Sequence, residues 1–270
     1  MKHLEEMQEN DIDGVVAVIE SHDEDDADEA AAGFRSIGGC MDMYVLRHEG
    51  KIIGVTGFST PPGCDQTHWL SWTYVHDDYT NQGFGRKMLI ELIDHLKKQQ
   101  GRMLFVKVSD YIDEDADNEE EDGAIYAAAL HLYQSLGFKI ELTHPDYYDE
   151  GESQICLGLR LSDTPAMIAD IDIAKEDIGV QFNAVFEIPE TDDAYTFGWD
   201  NEGEQVFSQE DVTIGLDNVR EQKGRIVFIS FPSNYNGIKE PLLAAGFKES
   251  GKLHNYYEDG IHDQHYTYKL

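Results

Sequence analysis

The pattern of hydrophobic and polar positions over residues 1–162 predicts alternating helices and strands. Alternation in KHLEEM predicts a short first strand, whereas the apolar spacing of DIDGVVAVIESH and EAAAGFRSI predicts two helices. Three strand-like runs follow, MYVLRHEG, KIIGVTGFST and HWLSWTYVH, and the first two are joined tightly at Glu49 and Gly50. The opening order is therefore β-α-α-β-β-β, with the three strands in an antiparallel meander.

The longest predicted helix runs from Phe84 to Gln100, where apolar residues recur at helical spacing. After it, RMLFVKVSDY predicts a buried strand, AIYAAALHLYQSLGF a second amphipathic helix, and GFKIEL and SQICLGLRL two closing strands. The predicted fold class is α/β (α+β), a mixed, mostly antiparallel sheet flanked by helices. We assign this first domain to residues 1–164.

A weak internal repeat indicates how the rest of the chain is organised. LGFKIELTHPDYYDEGESQICLGLRL aligns without gaps to AGFKESGKLHNYYEDGIHDQHYTYKL, so Asp146 pairs with Asn255 and Leu161 with Leu270, both 109 residues apart (255 minus 146 and 270 minus 161). Upstream, GRIVFISF resembles GRMLFVKV. Residues 165–270 therefore read as a second, shortened copy of the same α/β unit.

The net charge of −34 changes which partners can be expected. Nucleic acids and anionic membranes are bound through Lys and Arg, so both are excluded as direct partners. No apolar run approaches the roughly 20 residues that span a bilayer, and we expect a cytoplasmic protein, either a monomer or a homodimer. The three isolated cysteines, Cys40, Cys64 and Cys156, show no metal-ligand spacing, so no metal is expected.

Candidate chemistry lies between the third meander strand and the longest helix. Gly83 and Gly85 stand at the helix start, where unpaired backbone N–H groups and the positive end of the helix dipole attract phosphate. Arg86 and Lys87 oppose that dipole unless an anion is bound. Neither a dinucleotide fingerprint, excluded by Met88, nor a P-loop fits, and an ordinary tight turn is an open alternative.

Two motifs in this element order carry a family resemblance. VHDDYTNQGFG at residues 75–85 and LYQSLGF at residues 132–138 resemble the coenzyme-binding and closing motifs of the GNAT superfamily of acetyl-CoA-dependent N-acetyltransferases. The first motif departs from the family pattern. Asp77 replaces a proline, Thr80 an Arg or Gln, Asn81 the first glycine, and Tyr126 the Asn that often opens the later helix.

The resemblance implies acetyl-CoA as co-substrate and assigns roles to individual residues. The backbone of Tyr74 and Val75 would pair with the pantetheine arm. Tyr133 would protonate the departing thiolate, although an ordinary core tyrosine is the alternative. The pyrophosphate would be cradled by Gln82, Gly83, Phe84, Gly85 and Arg86.

The general base is less clearly marked. Asp110, at the end of the predicted buried strand, is the first candidate, and His68 and His76 are the others. Trp69 and Trp72 lie on opposite faces of their strand, so one is expected in the core and the other beside an acceptor pocket.

The resemblance therefore implies an N-acetyltransferase whose acceptor is a primary amine that attacks the thioester directly. The resemblance does not identify this acceptor, and the acidic composition tilts the expectation toward a small cationic amine. Two alternatives stay open: a non-catalytic acyl-CoA-binding or regulatory module, and an interaction protein whose acidic run at residues 113–122 captures a cationic partner. In the second copy, Ser208 and Asp211 form a Ser-x-x-Asp capping box and no Gly-x-Gly precedes the helix. We therefore expect residues 165–270 to be a degenerate half that lacks the pyrophosphate loop.

Overall fold

The computed structural model describes residues 4–111, 125–163, 179–200, 208–235 and 237–270. The chain divides into two compact units. The first contains residues 1–62, 66–106 and 160–166, and the second contains residues 63–65, 107–159 and 167–270.

The first unit follows the predicted order of helices and strands. Its elements are β1 (Leu4–Glu6), α1 (Ile12–Glu20), α2 (Glu24–Phe34), β2 (Met43–His48), β3 (Lys51–Ser59), β4 (Thr67–Val75) and α3 (Phe84–Lys98). The following strand, β5 (Met103–Ser109), passes from the first unit into the second.

Helix α2 begins earlier than its apolar pattern predicts. The Asp23 side chain accepts a hydrogen bond from the Asp26 amide at 2.9 Å, which caps the helix at its start. The apolar faces of α1 and α2 then pack in one buried cluster against β2 and β3, formed by Val15, Val18, Ile19, Ala27, Ala30, Phe34, Val45 and Val55. Burial of this face stabilises both short helices.

The second unit contains the remaining elements. They are α4 (Ile125–Ser135), β6 (Lys139–Asp149), β7 (Glu152–Arg160), β8 (Gly179–Glu187), β9 (Ala194–Asp200), α5 (Gln209–Glu221), β10 (Ile226–Pro232), α6 (Lys239–Ala245), β11 (Lys248–Glu258) and β12 (Ile261–Lys269). Its largest core cluster lies around α5, α6 and β10 and includes Phe197, Val212, Leu216, Phe231 and Leu242.

The strands form two mixed, mostly antiparallel sheets, as the fold class predicted. Hydrogen-bonded neighbours follow the order β1-β2-β3-β4-β5-β7-β6 in one sheet and β11-β12-β10-β9-β8 in the other. The second order matches β6-β7-β5-β4-β3 of the first, element by element. Among the pairings of described residues, β4 with β5 and β9 with β10 are parallel.

The compact units do not divide at the predicted boundary between residues 164 and 165. The predicted boundary itself lies outside the described residues. Residues 107–159 group with the C-terminal residues because β6 contacts that half through buried and ionic interactions. The Arg225 guanidinium donates to the Asp146 carbonyl at 2.6 Å, and the Lys269 ammonium lies 3.1 Å from the Asp146 carboxylate.

Two predictions concern segments at the limits of the description. Beyond Tyr111, the acidic run lies outside the described residues. In the part of the chain that is described, no helix combines the length and the apolar character needed to cross a membrane.

Candidate functional site

The start of α3 has a backbone that presents N–H groups outward. Gly83, the residue before the helix, has a φ of 79°, and Asn81 has a φ of 55°. Both values lie in the left-handed region, where glycine and asparagine are best tolerated. Asn81 therefore keeps the backbone conformation that a glycine would supply at the position where the sequence departs from the family motif.

No side chain caps this helix start. Helix α3 lies wholly within the described residues, has no acidic residue in its first turn, and makes its first internal bond from the Lys87 amide to the Gly83 carbonyl at 3.1 Å. The amides before Lys87 have no acceptor inside the helix. Together with the helix dipole they give this helix start a positive potential of the kind that suits a phosphate group.

The connection from β4 to α3 is held by aromatic packing. The rings of Tyr79 and Phe84 lie 5.7 and 5.4 Å from the ring of His48. A single 3-10 turn at Asp77–Tyr79 precedes Gly83, and the His76 Nδ1 atom accepts the Asp78 amide at 3.2 Å. Aromatic side chains therefore pack the helix start against His48 of β2 and leave its solvent-facing side accessible.

Strands β4 and β5 separate after a short parallel ladder. Thr67–Trp69 pair with Met103–Phe105, and among the described residues the ladder ends there. Trp72, with a φ of 36°, lies at a register shift in the pairing of β4 with β3. The later part of β4 therefore presents a backbone edge that β5 does not cover.

Only Val75 of the two predicted backbone residues presents its polar groups on that edge. The His76 amide donates to the Ile53 carbonyl at 3.0 Å, so by alternation Tyr74, paired with Val55, also directs its N–H and C=O toward β3. The backbone role predicted for Tyr74 is therefore not available on the open edge. The Val75 carbonyl faces that edge instead.

The five residues predicted to cradle pyrophosphate lie together on this connection. The Gln82 side chain donates to the Asp78 carbonyl at 3.0 Å, Gly83 caps α3, and Phe84, Gly85 and Arg86 form its first turn. Met88 follows two positions after Arg86 and is fully buried, with its sulfur 3.2 Å from the position that a Cβ on Gly54 would take. A large residue at this position therefore packs the helix onto β3.

Tyr133 lies in α4 and is buried. Its ring packs edge-on against Phe138 at 5.6 Å, and burial raises the pKa of Tyr133 to about 12. Burial disfavours the phenolate, so Tyr133 keeps its proton at neutral pH.

Two of the candidate bases, Asp110 and His68, have different surroundings. Asp110 is exposed, and its carboxylate accepts the Ser153 amide of β7 at 2.5 Å. His68 is 4% exposed and bonded to the Thr60 hydroxyl at 2.9 Å. Burial, followed by the charge of Arg102, lowers the pKa of His68 to about 4, so this ring is neutral and enclosed.

Of the two tryptophans, Trp72 packs on the core and Trp69 lies against β5. The ring of Trp72 contacts Phe34 of α2 at 6.1 Å and belongs to the cluster under α1 and α2. Trp69 is half-buried and lies 5.4 Å from the ring of Phe105.

Sequence reasoning missed His22, which lies at the corner between α1 and α2. Its Nε2 atom is 2.6 Å from the Val75 carbonyl oxygen, and its Nδ1 atom is 3.1 Å from the Asp77 carboxylate. More than 50 residues separate His22 from both partners, so no local pattern could indicate the contact. The one departure in the sequence that bears on this contact is Asp77, which stands where the family motif has a proline.

Part of the chain is similar to known proteins. The acetyltransferase (GNAT) domain matches residues 40–140. The ribosomal protein bS18-alanine N-acetyltransferase of Escherichia coli (strain K12) is 35% identical over 91 residues, which are 33% of this chain and 52% of that protein. The chain thus spans about half the length of the curated relatives it matches.

Two solved structures have lower identity. The ribosomal-protein-S18-alanine N-acetyltransferase from Escherichia coli is 24% identical with a TM-score of 0.46, covering 63% of this chain and 100% of that one. A Salmonella typhimurium protein assigned as an acetyltransferase, solved with its cofactor acetyl-CoA, is 18% identical with a TM-score of 0.48, covering 63% of this chain and 99% of that one. What the chain shares with this family is thus a match to the acetyltransferase (GNAT) domain over residues 40–140.

Proposed function

We propose that this protein is an acetyl-CoA-dependent N-acetyltransferase. The observation that carries the proposal is the start of α3, where Asn81 and Gly83 in left-handed conformation lead into a helix without a side-chain cap. This helix start lies inside the stretch that matches the GNAT domain. In this reading the amides from Gln82 to Arg86 receive the pyrophosphate of acetyl-CoA.

The open edge of β4 supports a place for the rest of the cofactor. The pantetheine arm would extend along this edge as an added strand, with Val75 supplying the backbone acceptor. Such pairing would fix the thioester at the end of β4. Holding the thioester in one orientation supplies much of the rate advantage of an enzyme-bound reaction.

The reaction can be written with its protons balanced. A base takes one proton from the acceptor ammonium, and the resulting amine forms a C–N bond to the thioester carbonyl. Collapse of the tetrahedral intermediate breaks the C–S bond, and Tyr133 donates its proton to the thiolate. The second amine proton is lost as the amide forms and restores the Tyr133 hydroxyl through solvent.

The acceptor is a primary amine, and two classes of acceptor have support. The net charge of −34 favours a small cationic amine through long-range attraction. The curated relative is named for an alanine of ribosomal protein bS18, which supports a protein N-terminal amine. The experiment below tests one acceptor of each class.

A non-catalytic acyl-CoA-binding module is the second candidate function. The observation that favours it is that two candidate bases are already engaged or enclosed. One carboxylate oxygen of Asp110 accepts the Ser153 amide, and His68 is buried. A chain with no working base would bind acetyl-CoA without transferring the acetyl group.

Calorimetric titration of acetyl-CoA into the intact chain, Gly83→Glu and Gly50→Glu tests the proposal. Gly83 and Gly50 are closely matched, with φ values of 79° and 82° and open space where a Cβ would stand. Gly83→Glu places bulk and negative charge at the helix start, and Gly50→Glu places the same group in the turn between β2 and β3. We expect micromolar binding by the intact chain, a loss of at least about 100-fold in Gly83→Glu, and less than about threefold in Gly50→Glu.

Thiol release with spermidine and with a peptide that begins with alanine completes the experiment. Release with either amine supports the transferase, whereas binding without release selects the acyl-CoA-binding module. No binding to the intact chain, or an equal loss in both glycine variants, would contradict a cofactor site at Gly83.

A further inference from the structure

His22 occupies a backbone acceptor on the open edge of β4. The Val75 carbonyl points away from β3 because its neighbours, Tyr74 and His76, direct their backbone groups toward β3. The acceptor that an added strand would use is therefore already taken by the Nε2 atom of His22, at 2.6 Å.

The two ring nitrogens of His22 face different oxygens. The Nε2 atom faces the Val75 carbonyl and the Nδ1 atom lies 3.1 Å from a carboxylate oxygen of Asp77. A carbonyl oxygen can only accept, so Nε2 must carry hydrogen for its bond to form. Hydrogen on Nδ1 as well adds an ion pair with Asp77, so the charged ring has two favourable contacts where the neutral ring has one.

Asp77 is held in place to receive this charge. Its amide donates to the Ser21 hydroxyl at 3.2 Å, a bond that the proline of the family motif could not make. The other groups around the ring come from β4 and α2: the Tyr74 ring lies 5.7 Å away, and its hydroxyl donates to Asp26. The charged groups facing His22 are thus the carboxylates of Asp77 and, behind Tyr74, Asp26.

We propose that His22 is a protonation-dependent clasp on the pantetheine edge, and that acetyl-CoA must displace it from the Val75 carbonyl to bind. The proposal rests on the proposed function, since it assumes that acetyl-CoA pairs with the end of β4. The imidazolium ties the α1–α2 corner to the strand end. The neutral ring can keep the Val75 bond but loses the ion pair with Asp77, so the cofactor displaces it more easily.

Linkage gives the sign of the effect. If the protonated ring and the cofactor exclude each other, binding releases a proton and affinity rises with pH. Histidine is the side chain that ordinarily changes charge between pH 5 and 8, which sets the range to examine. We expect acetyl-CoA to bind at least about tenfold more tightly at pH 8 than at pH 5.5.

Calorimetric titration of acetyl-CoA from pH 5.5 to 8 into the intact chain, His22→Gln and His22→Arg tests the clasp. Glutamine cannot become charged, so His22→Gln should bind tightly at low pH and report only the titration of the cofactor phosphates. Arginine stays charged and can donate to both oxygens, so His22→Arg should bind weakly at every pH. His95→Gln, on the far part of α3 where the ring meets the Tyr44 hydroxyl at 2.9 Å, should behave as the intact chain.

A second ligand distinguishes binding of the cofactor's phosphates from binding of its pantetheine arm. Adenosine 3′,5′-bisphosphate carries phosphates but no pantetheine arm, so its affinity should depend on pH equally in the intact chain and in His22→Gln. Identical pH dependence of acetyl-CoA binding in those two proteins would overturn the clasp and leave the proposed function standing. No acetyl-CoA binding by any of the proteins would overturn both.

Discussion

Helices α3 and α5 follow equivalent strands in the two sheets and begin in opposite ways. Gly83 precedes α3 in left-handed conformation and offers no side chain to its amides. Ser208 precedes α5, and its hydroxyl accepts a hydrogen bond from the Asp211 amide at 3.2 Å. In return, the Ser208 amide donates to the Asp211 carboxylate at 2.9 Å. The start of α5 is thus capped by its own side chains, one of which is a carboxylate. The start of α3 has no such cap and is suited to an external anion.

The closing hairpins, in contrast, are built alike. Each pair of facing residues in β6–β7 recurs in β11–β12 at the offset of 109, from Lys139–Gly158 with Lys248–Thr267 to Asp149–Glu152 with Glu258–Ile261. Even the two register shifts coincide. The hairpin framework is therefore shared, and the difference between the halves lies in side chains placed on it.

The end of α4 and the end of α6 show the same contrast. The Phe138 amide donates to the Tyr133 carbonyl at 3.2 Å, and the Phe247 amide donates to the Leu242 carbonyl at 3.0 Å. Tyr133 and Leu242 are thus equivalent (242 minus 133 is 109), and only the first has a hydroxyl. The comparison teaches that backbone architecture can be repeated without the groups that would carry chemistry.

Removal of the Tyr133 hydroxyl is the strongest test of that contrast. Tyr133→Phe should lower acetyl transfer by about 100-fold, because general acid catalysis is lost, while acetyl-CoA affinity stays nearly unchanged. Tyr266→Phe, at another buried tyrosine in the C-terminal half, should leave the rate within about twofold. Steady-state thiol release measures both, and an unaltered rate in Tyr133→Phe would remove Tyr133 from the mechanism.

The second test uses His144, whose equivalent in the other hairpin is the buried Leu253. His144 is 2% exposed and its Nε2 atom lies 3.1 Å from His265 Nδ1. Burial first, and then His265 and Lys107, lower the pKa of His144 to about 3. The unfolded chain therefore binds the proton more readily, so stability is complete above about pH 6.5 and is lost as the pH falls.

The free energy of unfolding should decrease by up to about 1.4 kcal/mol per pH unit between about pH 6.5 and 3. His144→Leu, which copies Leu253, should lose this slope, while His131→Leu on the exposed face of α4 should keep it. Urea unfolding at pH 7.5, 6.5, 5.5 and 4.5 measures the slopes. An unchanged slope in His144→Leu would show that the buried pair is not the group that titrates.

The capping box of α5 should have a smaller effect, confined to stability. Ser208→Ala removes the acceptor of the Asp211 amide and should cost about 1 kcal/mol, with no change in acetyl-CoA affinity. Thr213→Ala, whose hydroxyl donates inside the same helix to the Gln209 carbonyl, should cost only a few tenths of a kcal/mol. Equal losses in the two variants would mean that the cap contributes nothing specific.

The smallest effect is expected at the hairpin turns, where the halves agree. Asp146 and Asn255 have φ values of 55° and 54°, and each accepts a glycine amide five residues on at 2.9 Å. Asp146→Asn should therefore change stability by a few tenths of a kcal/mol, whereas Asp146→Ala loses the bond and should cost about 1–2 kcal/mol. Thermal unfolding distinguishes them, and a large loss in Asp146→Asn would contradict the equivalence of the turns.

The same contrast separates predictable features from unpredictable ones. The element order, the helix start at Gly83, the capping box at Ser208 and the repeat could all be read from the sequence, because each depends on spacing within a few residues. The start of α2 was predicted too late because the cap at Asp23 was not recognised. The direction of the Tyr74 backbone groups could not be read from the sequence, because it depends on which neighbouring strand pairs with which edge.

The sequence by itself determined which segments become helices and strands, which helix start lacks a side-chain cap, and that the closing hairpin occurs twice. These properties follow from propensity, periodicity and capping, which act locally. Only the tertiary structure placed His22 on the Val75 carbonyl and His144 against His265, 121 residues away. Such contacts arise from the register of strands and the packing of distant segments, and no local pattern of residues records them.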